Sequence, residues 1–476
     1  MKKIQFLGLY LSHFLARYLS RPLPIAGDQK RHLPIIRGRQ LAVGVIFLAV
    51  VFFLIKVAPG FFPKETVSEG IVGVYSHTNL PSSVANLISK PLVSIDKTGR
   101  PQPNLAEKWQ VNNNATIYTF SLKKDLYWSD GSKAKSSDIK FNLPDVEVSY
   151  PNESTLEFKL ADSFTPFPSL LTAPVFKGDS LLGVGGFRVE REERNHGLIK
   201  KLLLYPVSGG GLPIVSIRFY PDERTAKTAF ELGEVESLIG FPDAVSLQGQ
   251  PSVEFKRITG FNKLTAIFYN TKDPVLSDKN MRRALSAATP VIDGEEKAKT
   301  PVPSLSWAFN SDVKDLLGDH ESAKSYLDKV QSGGDSTITL TTVPSLAFLG
   351  EKIVRSWKEN GIQAVLRVES GIPQNFQALL LSESIPSDPD QYALWHSTQT
   401  NTNLSKYSSP RVDKDLEDGR KTGDLEKRKE SYLDFQKVLI DDSPATFLYF
   451  PKTQVVYRKK VENNLSKILT LQFPQM

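Results

Sequence analysis

Val215-Ser-Ile-Arg-Phe-Tyr-Pro-Asp222 runs into Glu-Arg-Thr-Ala-Lys-Thr-Ala-Phe-Glu-Leu-Gly233, and then into Glu-Val235-Glu-Ser-Leu-Ile239. The β-branched run Val215 to Phe219 predicts a strand. Asp222 to Leu232, entered after Pro221 and stopped at Gly233, predicts a helix, and the apolar stretch Val235 to Ile239 a second strand. The same logic recurs downstream. Thr337 to Val343 reads as a strand, Leu349, Ile353 and Trp357 stand at helical spacing, Asn360-Gly361 is a stop, and Gln363 to Val368 is a strand again. Two strand–helix–strand units so far apart predict two α/β lobes.

Upstream of the first unit the pattern is mostly β. Tyr118, Phe120 and Leu122 alternate with Thr119 and Ser121 after the Asn112-Asn113-Asn114 turn, and Glu147 to Lys159 predicts a hairpin around Pro151-Asn152. Two helices are expected later. Ser277 caps one carrying Met281, Leu285 and Ala288, ended by Pro290; Asp424 caps one carrying Tyr432, Phe435 and Leu439, closed by Pro444. Asp293 to Asp319, with Gly294, Pro301 and Pro303, reads as an irregular surface crossing.

Near the N-terminus, Leu41 to Ile55 is uncharged and mostly large and apolar. Carried on to Phe62, with the Lys56 amine snorkelling, it has the roughly 20 residues that a bilayer needs. Residues 1–40 hold eight Lys or Arg against the single acid Asp28. The positive-inside bias therefore predicts a basic cytoplasmic leader (1–40), a transmembrane anchor (41–62) and an extracytoplasmic remainder. Forty residues before the apolar core argue against a cleaved signal. The leader itself suits either a helix lying on the inner leaflet or a plain tail. Removing its eight cations and one anion from the chain's 59 and 52 leaves 51 of each, so the basic balance carries no implication for nucleic acid.

Enzyme chemistry finds no support. There is no cysteine, hence no disulfide, thiolate site or lipidated Cys. His13, His32, His77, His196, His320 and His396 are scattered without metal-ligand spacing. No nucleophile elbow or Walker loop occurs. Gly183-x-Gly185-Gly186 precedes the strand-like Phe187-Arg-Val-Glu rather than a helix, which excludes a dinucleotide turn. Asp388 and Asp390 offer oxygens to a hard cation, but a Pro-containing turn is the simpler reading. No catalytic residue, metal or cofactor is expected.

A series of short motifs then carries a resemblance. Leu92-Val-Ser-Ile-Asp96, Pro103-Asn-Leu-Ala-Glu107-Lys-Trp109, Tyr118-Thr-Phe-Ser-Leu122, Trp128-Ser-Asp-Gly131 and Ser137-Asp-Ile139 are followed by Gly183-Val-Gly-Gly-Phe187, Gly233-Glu-Val-Glu236 and Phe268-Tyr-Asn-Thr271. Leu276-Ser-Asp278 with Met281-Arg-Arg-Ala-Leu285, Asp388-Pro-Asp-Gln-Tyr392, Tyr407 with Pro410 and Asp413, and Asp441 to Pro444 continue it. In this order the chain resembles the extracellular solute-binding proteins of family 5, the peptide, oligopeptide and nickel class serving ATP-driven importers. The resemblance implies a two-lobed, periplasmic-binding-protein-like α/β fold (type II, venus-flytrap). Lobe 1 is expected over 68–262 with 446–476, and lobe 2 over 263–445. It also implies a peptide or other small solute as ligand and ABC permease subunits as partners. A ligand-sensing receptor ectodomain or a non-transport surface module of the same fold is the alternative.

Two departures stand out. The passage from Lys140 directly to the Val146 hairpin implies a shortened accessory part of lobe 1. Where peptide binders of the family often hold the ligand's α-amino group with an acid, three residues before the Asp-Pro-Asp turn, this chain has Ile385. Ligand contacts are expected from the loop Tyr75, Ser76, His77, Thr78 and Asn79, from Asn270, and from Gln391, Tyr392, Trp395 and His396. The competing readings are a polar loop for the first group, a turn cap for Asn270, and core packing for Tyr392 and Trp395. Trp109 and Trp128 are expected to pack.

Overall fold

The computed structural model describes residues 65–474, except 209–210, 243 and 332–335. The expected leader (1–40) and anchor (41–62) lie outside the described residues. Among the described residues no helix is long and apolar enough to cross a membrane.

In chain order the elements begin with β1 (Thr66–Val72), α1 (Ser82–Ile88), β2 (Val93–Ile95), β3 (Pro101–Pro103), β4 (Ala106–Val111), β5 (Ile117–Leu122), β6 (Val146–Asn152) and β7 (Thr155–Leu160). There follow β8 (Phe187–Asn195), β9 (Leu198–Pro206), β10 (Ile214–Tyr220), α2 (Glu223–Glu231), β11 (Ser237–Ile239), β12 (Val253–Thr259) and β13 (Lys263–Tyr269). Next are α3 (Lys279–Ala288), β14 (Glu296–Lys297), α4 (His320–Leu327), β15 (Ile338–Thr342), α5 (Ala347–Glu359), β16 (Ala364–Val368) and β17 (Ala378–Ser384). The chain closes with α6 (Tyr392–Trp395), α7 (Pro410–Lys421), α8 (Leu425–Asp442), β18 (Ala445–Phe450), β19 (Lys452–Arg458) and α9 (Glu462–Gln472).

The strands build a seven-stranded sheet in the order β12-β19-β11-β1-β10-β9-β8, a six-stranded sheet β14-β18-β13-β17-β15-β16, a four-stranded sheet β4-β5-β7-β6 and the hairpin β2-β3. The opening unit is β10-α2-β11, with Asp222 capping the helix through the Thr225 N–H at 2.8 Å. Its two strands are not neighbours, because β1 lies between them, parallel to both. In the second unit β15 and β16 pair directly in parallel. Trp357 of α5 is fully buried there, its indole N–H reaching Thr289 Oγ1 at 2.9 Å. Side chains of this kind each contribute about 1.5–3 kcal/mol by leaving water.

Each large sheet has a core on both faces. Val67, Ile71, Leu202 and Val215 of the first pack on Val84 and Leu87 of α1 and Leu465 and Ile468 of α9, while Leu238 and Val456 pack on Phe230 of α2. In the second, Ile267 and Leu340 meet α3 and α5, and Phe268, Leu379 and Phe447 meet α7 and α8. The small sheet has its own core, with Phe120, Phe158 and Trp128.

Two connections join the large sheets: Gly260 to Asn262 between β12 and β13, and Pro451 between β18 and β19. β12 pairs along β19 and β13 along β18, so these crossings run side by side. The expected boundary at 445/446 needs correction, because Ala445–Phe450 completes the second sheet and the chain returns only at Pro451.

Two further expectations change. The cap of α3 is Asp278, accepting from the Asn280 N–H at 2.7 Å, rather than Ser277. Asp293 to Asp319 is not a surface excursion, since Ala298, Thr300, Val302 and Ala308 are buried and Thr300 Oγ1 donates to Gln436 Oε1 at 2.9 Å. The glycine run has a plain steric cause. A Cβ at Gly183 would stand 2.2 Å from the Ile88 carbonyl oxygen at the end of α1, and the Gly185 N–H donates to that oxygen at 2.8 Å.

Candidate functional site: the cleft at the lobe crossings

The residues expected to meet ligand fall into separate groups: among the described residues the first loop makes no hydrogen bond, ion pair or ring contact with the Gln391–His396 region. In the loop after β1, Asn79 Oδ1 accepts from both the Ser76 N–H (2.5 Å) and hydroxyl (2.8 Å). Tyr75 stacks on Phe219 with ring centroids 5.0 Å apart, its hydroxyl donating to the Val72 carbonyl at 2.9 Å. His77 Nε2 lies 3.0 Å from Glu192 of β8, which Arg194 also holds. Asn270 caps its own turn, accepting from the Lys272 N–H (3.1 Å) and donating to the Phe376 carbonyl (3.1 Å).

The remaining four belong to the second lobe. Gln391 is buried, donating to the Pro301 carbonyl at 2.7 Å and accepting from the Trp395 indole at 3.0 Å. Trp395 is core, against Phe268 and Phe447. His396 is 4 % exposed, with Nδ1 at 2.8 Å from Thr398 Oγ1 and Nε2 at 3.3 Å from Glu417. Tyr392 stacks on it with centroids 4.0 Å apart. Gln391, Trp395 and Asn270 thus spend their polar groups inside the protein.

An open cleft lies elsewhere, at the crossing from β12 to β13. A cavity of about 490 Å³ is bounded by the β2–β3 turn (Ile95 to Gly99), the end of β12 and its crossing (Arg257 to Asn262), Glu296 of β14, the loop Pro303 to Ser306, and Ser387. Such a volume suits a small-molecule ligand. The β2–β3 turn approaches the second lobe closely: the Trp307 N–H donates to the Thr98 carbonyl at 2.9 Å, and a Cβ on Gly99 (φ +86°) would stand 3.0 Å from the Ser387 carbonyl oxygen. Asp96 organises this turn. Its Oδ1 accepts from the Thr98 N–H (2.8 Å), the Thr98 hydroxyl (2.7 Å) and the Arg100 N–H (3.0 Å), and its Oδ2 from the Gln102 amide (3.1 Å). Burial works against its charge, but these donors hold the carboxyl below the usual carboxylate range.

Residues 100–404 match the model of the bacterial extracellular solute-binding proteins, family 5. The chain belongs to this family. It is 22% identical to the probable D,D-dipeptide-binding periplasmic protein DdpA of Escherichia coli, over 75% of this chain and 81% of the relative. It is 22% identical to the oligopeptide-binding protein AppA of Bacillus subtilis, over 82% of this chain and 85% of the relative. The crystal structure of NikZ from Campylobacter jejuni in complex with Ni(L-His) is similar with a TM-score of 0.64 at 19% identity, covering 84% of this chain and 95% of that one. The fold is accordingly the two-lobed α/β fold of family 5, whose members bind solutes rather than transform them.

In this family 5 protein the Asp-Pro-Asp turn is an ion-pair anchor. Asp388 Oδ1 accepts from Arg428 at 2.8 Å and Asp390 Oδ2 from Arg420 at 2.9 Å. Burial raises the Asp390 carboxyl more than Arg420 lowers it. Among the described residues no group of three or more His, Asp or Glu is arranged to hold a metal ion. Arg420 also spans two modules, standing 4.0 Å from the ring centroid of Tyr392 and 5.0 Å from that of Phe164 beside the small sheet. The Thr165 N–H donates to its carbonyl at 2.8 Å.

Sequence reasoning missed the cleft lining. Two signals existed for it: the turn Asp96-Lys-Thr-Gly99 directly after the quoted Leu92–Asp96 motif, and the expected lobe boundary at 262/263, since a chain crossing between lobes must border any space between them.

Proposed function

We propose that this chain is a membrane-tethered, extracytoplasmic solute-binding protein that takes a peptide or oligopeptide and delivers it to an ABC importer. The observation that carries the reading is the cavity of about 490 Å³ bordered by strands of both large sheets beside the crossing from β12 to β13. A solute seated there touches both lobes and so favours the closed arrangement, while a few crossing residues absorb the dihedral change. Family membership supports extracytoplasmic binding, and the dipeptide- and oligopeptide-binding relatives support the ligand class. The tether rests on the sequence Leu41 to Phe62 and the basic residues before it.

Ile385 is buried in the second lobe's core, 6 % exposed, with its N–H donating to the Asn262 carbonyl at 3.0 Å. It therefore offers a ligand ammonium nothing. The test is thermal unfolding of the full-length chain in detergent against pools of peptides, sugars and metal–amino-acid complexes. The peptide pool is expected to raise the melting temperature, with about 2.7 kcal/mol of stabilisation at a hundredfold excess over Kd. Flat curves across all pools overturn the reading. Resistance to alkaline extraction from membranes, with the bulk of the chain open to external protease, tests the tether.

A further inference from the structure

The hairpin β2-β3 and the small sheet β4-β5-β7-β6 are inserted in the chain between α1 and β8, two elements of the first lobe. Their core is their own: it holds Phe120, Phe158 and Phe167 and shares no member with the cores of the second lobe. The insert nevertheless reaches the second lobe at two places. On one side the Trp307 N–H donates to the Thr98 carbonyl at 2.9 Å. On the other, Ser163 to Thr165 meet the end of α7, where the Thr165 N–H and hydroxyl both donate to the Arg420 carbonyl, at 2.8 and 2.9 Å. The Arg420 guanidinium is held within its own lobe by Asp390 at 2.9 Å and stands 4.0 Å from the Tyr392 ring centroid, and it extends to within 5.0 Å of the Phe164 centroid. Phe164 is fixed to the small sheet. Its N–H donates to the Ala115 carbonyl at 3.1 Å, and its carbonyl accepts from the Tyr118 hydroxyl at 2.9 Å.

We propose that this insert is a clasp between the lobes, and that Arg420, seated against Phe164, is a positioning residue for the solute: it holds the second lobe where the cleft grips, without touching what is gripped. The inference rests on the solute-binding reading above. A rotation about the two chain crossings moves the second lobe against the first. The insert is carried by the first lobe at both its ends, so it parts from Arg420 and Trp307 as the lobes separate. What parts is a few hydrogen bonds and one guanidinium–ring contact rather than a shared apolar core, and such a contact opens and closes without unfolding either side. Bonds present only in the closed arrangement raise the closed population, and the apparent affinity of any solute that needs that arrangement rises with the fraction of molecules in it. Phe164, Thr165 and Arg420 lie outside the cavity lining. Their effect on binding is therefore independent of the side chains of the solute.

The test exploits a chain without cysteine. Lys108→Cys on β4 and Lys358→Cys on α5, both exposed positions, carry spin labels, and the distance between the labels is read on the full-length chain in detergent micelles without added solute. Retention of randomised tripeptide pools is read on the same chain by native mass spectrometry. Phe164→Leu removes the ring while keeping apolar bulk and leaving the Asp390–Arg420 pair whole. It is expected to lengthen the label distance in a share of the molecules and to weaken retention of all peptides alike by about fivefold, the size of one guanidinium–ring contact. Phe164→Tyr, which restores a ring, is expected to return both readouts to the wild-type values. Unchanged distances in Phe164→Leu, or distances that lengthen while retention holds, overturn this inference and leave the solute-binding reading standing. Should Phe164→Leu misfold, Arg420→Lys, which keeps a cation for Asp390 but lacks the flat guanidinium, is read in the same way. A wild type that retains no pool overturns both.

Discussion

Two sets of charged side chains in this protein behave oppositely in the fold. Asp388 and Asp390 lie deep in the second lobe and each is matched by an arginine, Arg428 and Arg420. Lys97, Arg257 and Glu296 line the cleft, and none of them forms an ion pair among the described residues. The first cluster sits where motif reading would put ligand chemistry, yet its bonds are all internal. Only the buried pair has its charges matched inside the protein.

The largest expected effect comes from breaking the matched cluster. Arg428→Ala leaves Asp388 buried without its cation and removes the donor to the Gly419 carbonyl, and is expected to cost about 3–5 kcal/mol in chemical denaturation. A loss below 1 kcal/mol would place this pair with surface ion pairs.

A third buried acid sharpens the comparison because it has no cation at all. Glu69 on β1 is fully buried, meets only the Gln472 amide of α9 at 2.7 Å, and is raised by burial, against the pull of that amide, from 4.5 to about 7. The folded chain therefore holds this proton better than the unfolded chain. The resulting stabilisation is complete below about pH 4.5 and fades as pH rises through 7. Glu69→Gln is expected to be neutral at pH 4 and to stabilise by up to about 3 kcal/mol at pH 8, flattening the stability–pH curve. A curve unchanged by the substitution would mean that Glu69 does not titrate there.

Arg420→Ala removes the guanidinium between Phe164 and Tyr392 and unpairs Asp390; about 2 kcal/mol is expected. Faster hydrogen exchange is expected around 163–165 and 419–421, where the small sheet meets α7. The smallest effect on stability belongs to the cleft. Arg257→Gln is expected to change unfolding by less than about 0.5 kcal/mol, while weakening peptide retention.

The elements were legible where a physical pattern repeats. The β-branched run from Val215 to Phe219, the Asp222 cap and the Leu349, Ile353, Trp357 spacing each correspond to a strand or helix in the structure. Insertion of β1 between β10 and β11 was not legible, because parallel neighbours are set by non-local packing that leaves no period in the local sequence. The site was less legible still. Trp395 and Gln391 attract attention as aromatic and amide groups near a turn, but the same chemistry serves a core tryptophan whose N–H needs a buried acceptor. Apart from Ile258, which is buried, the cleft is lined by partly or wholly exposed residues of turns, a crossing and strand ends, so neither hydrophobic periodicity nor motif spacing marks them.

Pro451 has a consequence for how two sheets stay two. Pairing of β12 with β19 reaches Thr259 and Lys452, and pairing of β13 with β18 starts again between Thr265 and Tyr449. With no N–H to give, the proline denies the intervening stretch a ladder bond, so the seam between the halves is not zipped into one continuous ribbon. The two crossings thus form a break in pairing between the sheets rather than a continuous shared ladder.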